Sequence, residues 1–248
     1  MSAADAAIDL PALQPFLAEV ETVLLPELRL HSPDPRDPVV VERLPRPWCI
    51  LGTGNFAAVL LHPRHCQLVV KVYAPGRPGL AEEAEVYRRI GNHPAFSRCH
   101  HVGAGYLVLQ RLLGHTLYDC VRLGILIEPQ VLDDVDAAIA HAESRGLHGH
   151  DVHGRNVVQH RGRGHIVDIS DFLDPTPCRA WRDLRWAYHV LYRPLIAPTG
   201  LRAPGPLLAL VRRGYRVFRR LRPAGGFSSS HGHSPPAPTA TRPPVGSS

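Results

Sequence analysis

Apolar positions first recur at helical spacing over residues 9–30, where Leu13, Phe16, Leu17, Val20, Val23, Leu24 and Leu28 form one stripe. Pro11 or Pro15 suits the first turn of this predicted helix, and Pro26 ends or kinks it. The turn-forming run HSPDPRDP follows, and VVVERL (residues 39–44) then reads as a strand. Residues 48–61, WCILGTGNFAAVLL, hold two apolar strand-like runs around a polar turn, and LVVKVY (residues 68–73) is a further β-branched strand. Behind the breaker PGRPG, residues 80–90 return to helical period, with Val86, Tyr87 and Ile90 on the inward side. Glu83 shares that side, while Glu82 and Glu85 fall toward solvent. YLVL (residues 106–109) is a strand, residues 110–113 an extended connector, and residues 132–145 a helix ending near Gly146. VVQ and HIVD flank RGRG as a hairpin. Residues 180–192 and 206–221 are predicted helices, and residues 223–248, rich in Pro, Ser, Gly and Thr, are predicted to be disordered.

Composition narrows the class. The chain has 248 residues and a formal charge of +6, with arginines scattered until the segment carrying Arg212, Arg213, Arg216, Arg219 and Arg220. That balance favours anionic ligands without singling out nucleic acid. The helix over residues 206–221 either shows its basic face to an anionic partner, such as a membrane surface, or is simply solvated. The five cysteines are widely spaced and form no CxxC, which argues against a disulfide framework. The start MSAADAAIDL lacks a basic and then apolar leader, and no apolar run approaches a membrane span, so a cytoplasmic protein is expected.

Candidate chemistry centres on residues 147–172, LHGHDVHGRNVVQHRGRGHIVDISDF. Folding the predicted hairpin back brings Asp168 beside the loop carrying Asp151 and Asn156. Two carboxylates and a carboxamide then converge, a donor set of oxygens that suits Mg²⁺ and the phosphates of a substrate. The same residue types also crowd into ordinary turns. Upstream, Gly52, Gly54, Phe56 and Val59 give G-x-G-x-F-x-x-V, where alternate glycines let backbone N–H groups approach a phosphate. Lys71 is the sole lysine of the chain and sits inside a β-branched strand. Buried there it requires an anion, which Glu83 can supply; on an edge strand it would point to water.

These motifs occur in the order seen in the protein-kinase fold, and over residues 39–221 the chain resembles the kinase-like superfamily. More narrowly it resembles stand-alone bacterial serine/threonine-kinase-like proteins, through DVHGRN, DISDF and WRDLRWAY. The resemblance implies an α+β, bilobal fold: a small β-rich N-lobe over residues 39–112 and a reduced, mainly helical C-lobe over residues 113–222. An N-terminal helix and linker (residues 1–38) would precede it and the tail would follow. It further implies ATP and Mg²⁺ as ligands. Gly52, Thr53, Gly54, Phe56 and Val59 would cover the nucleotide, and Gln110 and Leu112 would meet its purine. Lys71, paired with Glu83, would hold the α/β-phosphates, Asn156 and Asp168 would bind Mg²⁺, and Asp151 would orient the acceptor hydroxyl. Asp168 is preferred over Asp171 on spacing.

Three departures qualify the likeness. Gly149 stands where the family has His, between His148 and His150, and His153 replaces a usual Lys as in small-molecule phosphotransferases. No A-P-E or activation segment follows Asp168, so a protein acceptor is expected to be a flexible segment, the tail included, and Thr176 is not expected to be a switch. The expected function is an ATP-dependent serine/threonine kinase. The alternatives are a kinase of antibiotics, sugars or lipid headgroups, and a pseudokinase scaffold. Asp183 either bonds the catalytic loop or caps its helix. The histidines His141, His148, His150, His153, His160 and His165 match no zinc template in spacing.

Overall fold

The computed structural model describes residues 10–199; the Arg-rich segment (residues 206–221) and the tail (residues 223–248) lie outside the described residues. The chain opens with α1 (Leu10–Glu19), which runs through a π-helical turn (Val20–Leu24) into α2 (Leu25–Glu27). Pro26 is thus accommodated before the helical segment ends, and Leu28 takes an extended conformation. β1 (Arg29–His31) pairs antiparallel with β2 (Val40–Arg43), across the turn-forming run. β3 (Cys49–Thr53), β4 (Ala57–Leu61), β5 (Leu68–Tyr73), α3 (Leu80–Ile90), β6 (Cys99–Gly103) and β7 (Tyr106–Gln110) follow. Their five strands make one antiparallel sheet in the order β3-β4-β5-β7-β6.

The period-2 alternation of β5 divides the core. Leu68, Val70 and Val72 face one side with Ala58, Leu60, Tyr106 and Val108, and there they meet Leu13, Phe16, Leu17, Val20 and Leu24 of the N-terminal helical segment. The predicted stripe therefore covers the outer face of the sheet, where each fully buried large side chain contributes roughly 1.5–3 kcal/mol. Tyr106 adds a hydrogen bond from its hydroxyl to Glu21 at 2.9 Å. Val69 and Tyr73 face the other side, with Val86, Tyr87 and Ile90 of α3 and the helical remainder of the chain. By the same parity Lys71 belongs to this inner face.

The C-terminal part is helical with one small sheet. β8 (His115–Thr116), α4 (Leu117–Leu123), α5 (Pro129–Ser144), β9 (Val157–His160), β10 (Arg163–Ile166) and α6 (Ala180–Ala187) follow in order, and a π-helical segment (Tyr188–Ile196) extends α6. The hairpin β9–β10 turns on Arg161 and Gly162 alone, with φ of 49° and 75°, the left-handed pair that a two-residue hairpin loop requires. Strand β10 accordingly starts two residues earlier than the RGRG pattern predicts. α5 starts at Pro129, three residues ahead of expectation, because proline fits a first helical position. Asp134 on α5 receives Arg163 Nε at 2.7 Å, Arg163 Nη2 at 2.8 Å and the Gly164 N–H at 2.9 Å, which clamps the hairpin to the helix. The connector after α3 docks on the same hairpin: the Ile166 N–H donates to Ala95 O at 2.8 Å, and Phe96 meets Phe172 edge to face at 6.0 Å. The architecture is thus mixed helix and sheet, with the sheet concentrated in the N-terminal region. Among the described residues no helix is long and apolar enough to cross a membrane.

Candidate active site

Lys71 is carried by β5, which lies between β4 and β7 at the centre of the sheet. Its Nζ stands 2.6 Å from Glu83 Oε2 and 3.5 Å from Asp168 Oδ1. Glu83 is fully buried. It arrives there because it lies three and four residues before Val86 and Tyr87 on the inward face of α3. A buried carboxylate without partners would be strongly destabilising. Here Oε2 accepts from both Lys71 and the Tyr73 hydroxyl, the latter at 2.5 Å, while Oε1 has no hydrogen-bond partner. Burial alone would push the Lys71 ammonium down, but Asp168 and Glu83 outweigh it and hold the amine above its usual range. The Tyr73 hydroxyl is pushed up, first by burial and then by Glu83, so it stays a donor. Glu82 and Glu85 point outward as the period predicts: Glu82 accepts from the Gly79 N–H, and Glu85 pairs with Arg88 and Arg89.

Asp168 follows β10, its side chain 44% exposed. The hairpin register carries on past the strand, with the Val167 N–H donating to Asn156 O at 3.0 Å. Burial opposes the Asp168 charge, yet Lys71 and two hydrogen bonds from Ser170 prevail and keep its carboxyl below the usual value. The loop before Asn156 is pinned by Leu147, Val152 and Val157, all buried, and its polar residues stand out between those anchors. Asp151 takes a left-handed φ of 53°, uncommon outside glycine and frequent at functional sites. Its N–H donates to Cys178 Sγ at 3.4 Å, and its carbonyl accepts from Asn156 Nδ2 at 3.2 Å. His153 Nε2 lies 3.7 Å from Asp151 Oδ2. Gly149 has a packing reason for its identity: a Cβ there would come within 2.9 Å of Ile139 Cγ2 on α5.

A third carboxylate joins the two expected ones. Asp171 is raised above its usual value by burial and then by the charges of Asp168 and Asp151, so the three groups form one region of excess negative charge. Sequence reasoning set Asp171 aside and did not name Tyr73, Ser170 or Cys178. Tyr73 shares strand parity with Lys71, and Ser170 sits two residues after Asp168 as in an aspartate turn, so both carried a local signal. Cys178 carried none.

The remaining candidates lie on the β3–β4 hairpin, at the end of β7 and in the connector after it. Gly52, Thr53 and Gly54 close the β3–β4 hairpin and are exposed. Gly52 has no positive φ, and a Cβ would meet nothing within 4 Å, so the fold itself does not call for glycine there. Val59 pairs directly with Lys71 across the ladder. The half-buried Phe56 ring carries the Arg77 guanidinium 4.9 Å from its centroid. In the connector, Gln110 N donates to Arg98 O and Gln110 O accepts from Ser97 Oγ, while Arg111 N donates to Gln67 O. The half-buried Leu112 lies just beyond those commitments. Asp183 falls in the first turn of α6.

No protein-family model matches the sequence. The chain is 28% identical over 170 residues to a Bacillus subtilis (strain 168) protein named "Putative serine/threonine-protein kinase YrzF", covering 67% of this chain and 78% of that one. A crystal structure of Rad53 1–466 in complex with AMP-PNP aligns over 49% of this chain and 36% of its own length, at 22% identity and a TM-score of 0.41. With Lys71 and Glu83 in the sheet-rich N-terminal region and Asp168 brought beside Lys71 from beyond β10, the chain resembles the protein-kinase-like superfamily.

Proposed function

We propose that the protein is an ATP- and Mg²⁺-dependent phosphotransferase acting on a hydroxyl acceptor, of the bacterial serine/threonine protein kinase type. The observation that carries this reading is Lys71 Nζ between a fully buried Glu83 of α3 and a partly exposed Asp168 beyond β10, one ammonium held by two carboxylates from distant parts of the chain. Held charged by those carboxylates, Lys71 is preorganised for the α/β-phosphates of a nucleotide, and a preorganised charge needs no rearrangement as reaction proceeds. The glycine turn of residues 52–54 would cover the phosphates with its N–H groups, and Phe56, Val59 and the connector Gln110–Leu112 would enclose the base. Since the Gln110 backbone groups are committed, the purine would depend chiefly on the backbone of Leu112.

The site's donor chemistry fits Mg²⁺. Asp168 offers a carboxylate, and Asn156, whose amide nitrogen is spent on Asp151 O, offers its amide oxygen. The mutual repulsion among Asp151, Asp168 and Asp171 is what a divalent cation relieves. When bound, the ion neutralises phosphate charge. Asp151, held on a left-handed backbone, would orient the acceptor hydroxyl and take its proton.

A second reading, a small-molecule acceptor, is favoured by the short path from Asp168 into α6. In it Thr176 is tied to Asp174 at 2.9 Å and stands 3.2 Å from His150, leaving little chain for a peptide platform. Nucleotide binding with and without Mg²⁺, measured by calorimetry, tests the division of roles. Asp168→Asn should abolish the Mg²⁺ dependence of ATP binding, whereas Asp151→Asn should bind ATP as the native protein does. Identical behaviour of the two variants contradicts this assignment.

A further inference from the structure

On the face of the sheet turned away from Lys71, the β4–β5 connection is a single 3-10 turn (Pro63–His65), and it presents His62 and His65 toward α1. In such a turn side chains three residues apart eclipse one another, which brings the two imidazoles to 5.5 Å between centroids. Glu19, at the end of α1, reaches between them: its Oε1 lies 3.1 Å from His62 Nε2 and its Oε2 4.0 Å from His65 Nε2. One ligand atom from each of the three residues falls within 4.8 Å of the others, and among the described residues this is the one such group of three.

The ring of His62 is fully buried, yet neither of its nitrogens has a hydrogen-bond partner, the approach to Glu19 lacking the alignment for one. Buried polar groups are otherwise almost always satisfied. Trp48, at 5.0 Å from His62, and Phe16, at 4.7 Å from His65, wall the group off on the protein side. The competing cation is Arg64, whose Nη2 stands 3.4 Å from Glu19 Oε1. Its side chain is 75% exposed, so it can swing into solvent.

We propose that Glu19, His62 and His65 are the protein ligands of a zinc-class divalent cation that clips α1 to the β4–β5 connection. Two imidazoles and a carboxylate are a donor set that zinc takes with a fourth position left for water, and two donors on one tetrahedral zinc stand roughly 3.4 Å apart. The observed separations need only side-chain adjustment to reach that spacing. Sequence spacing does not reveal the site, since H-x-x-H is short and its third ligand lies on a distant helix.

The test uses untagged, chelator-stripped protein of the full chain. Zn²⁺ is titrated against a chromophoric competitor, Co²⁺ is added for its visible absorption, and thermal unfolding is followed with and without Zn²⁺. The native chain should bind one Zn²⁺, give the intense visible bands of tetrahedral Co²⁺ and melt at higher temperature with Zn²⁺ present. His65→Ala and Glu19→Gln, both at partly exposed positions, should each weaken Zn²⁺ by more than the 10–100-fold that losing an outer partner typically causes, and lose the thermal shift. His189→Ala, at an exposed site elsewhere, should retain both. Absence of a stoichiometric site in the native chain overturns the proposal. So does Zn²⁺ binding that survives unchanged in His65→Ala and Glu19→Gln, which would place the ion on other histidines.

Discussion

Lys71 and Glu83 are interdependent, and the pair sets a stability prediction as well as a functional one. From the sequence, Lys71→Met is expected to leave the fold largely intact. The burial of Glu83 changes that expectation, because removing Lys71 leaves a desolvated carboxylate with the Tyr73 hydroxyl as its remaining donor. Breaking a buried pair from one side costs about 3–5 kcal/mol, whereas neutralising both partners costs far less. Lys71→Met should therefore lower the free energy of chemical unfolding by about that amount, and the double variant Lys71→Met/Glu83→Gln should recover most of it. Equal stability of the single and double variants would show that Glu83 is not held as a buried charge. The pair was legible because a sole lysine in a β-branched strand needs an anion and the next amphipathic helix offers one at an inward position. The contacts of Asp151 with Cys178 and of Asp168 with Lys71 join residues far apart in the chain, so local pattern carried no sign of the first. The second was implied only by the family likeness.

Among the elements, the hairpin β9–β10 is what places Asn156 and Asp168, and α5 is what places the hairpin. Asp134 receives a two-pronged pair from Arg163 and the Gly164 N–H, and Arg163, followed by those backbone and Gln130 contacts, holds its carboxyl down at about 2 against the burial that would raise it. A depressed carboxylate contributes stability that is complete above its unfolded pKa and is lost as pH falls through the folded one. The stability gap between the native chain and Asp134→Asn should thus be full at neutral pH and shrink as pH falls from about 4 toward 2. Its size is on the order of 1–2 kcal/mol, reduced from the full linkage value because Arg163 is 62% exposed. A gap that does not change over that range would show that the clamp does not depend on the charge. Gly164 is the tighter constraint, since a Cβ would meet Val131 O at 2.4 Å, so Gly164→Ala should push the hairpin off α5 and lower activity and stability together. Strands β2 to β5 and β7, helix α3 and this hairpin were visible as periodic runs. β6 reads CHHVG with no alternation, β8 has only two residues, and β1 exists because it pairs with β2; tertiary pairing supplies what their sequences do not signal. α4 escaped notice as a short helix, although Thr116 caps it through Asp119 N at 3.0 Å and Gly124, at φ 71°, ends it.

For the molecule as a whole, the sheet that carries Lys71 and the helical part that carries Asp151, Asn156 and Asp168 meet at the Lys71–Asp168 pair and again at the connector after α3. There the connector after α3 bonds to β10 through Ala95 O, and His141 Nε2 lies 2.9 Å from Ile90 O. The outer face of the sheet is covered by α1, which the sequence marked as a helix without indicating where it packs: an apolar stripe states that a face is buried, not against what. The two parts together place a fixed ammonium beside a cluster of carboxylates, the arrangement on which the proposed phosphotransfer rests. The most direct test is the rate at which the γ-phosphate of labelled ATP is transferred in the presence of Mg²⁺, measured alone and with protein and small-molecule hydroxyl acceptors, for the native chain and for folded Asp151→Asn. The account predicts transfer by the native chain and a rate lower by roughly 10²–10⁴-fold in Asp151→Asn, the usual contribution of a positioned base, with ATP affinity unchanged. No transfer to any acceptor by a native chain that binds Mg²⁺ and ATP, or an undiminished rate in Asp151→Asn, would contradict it.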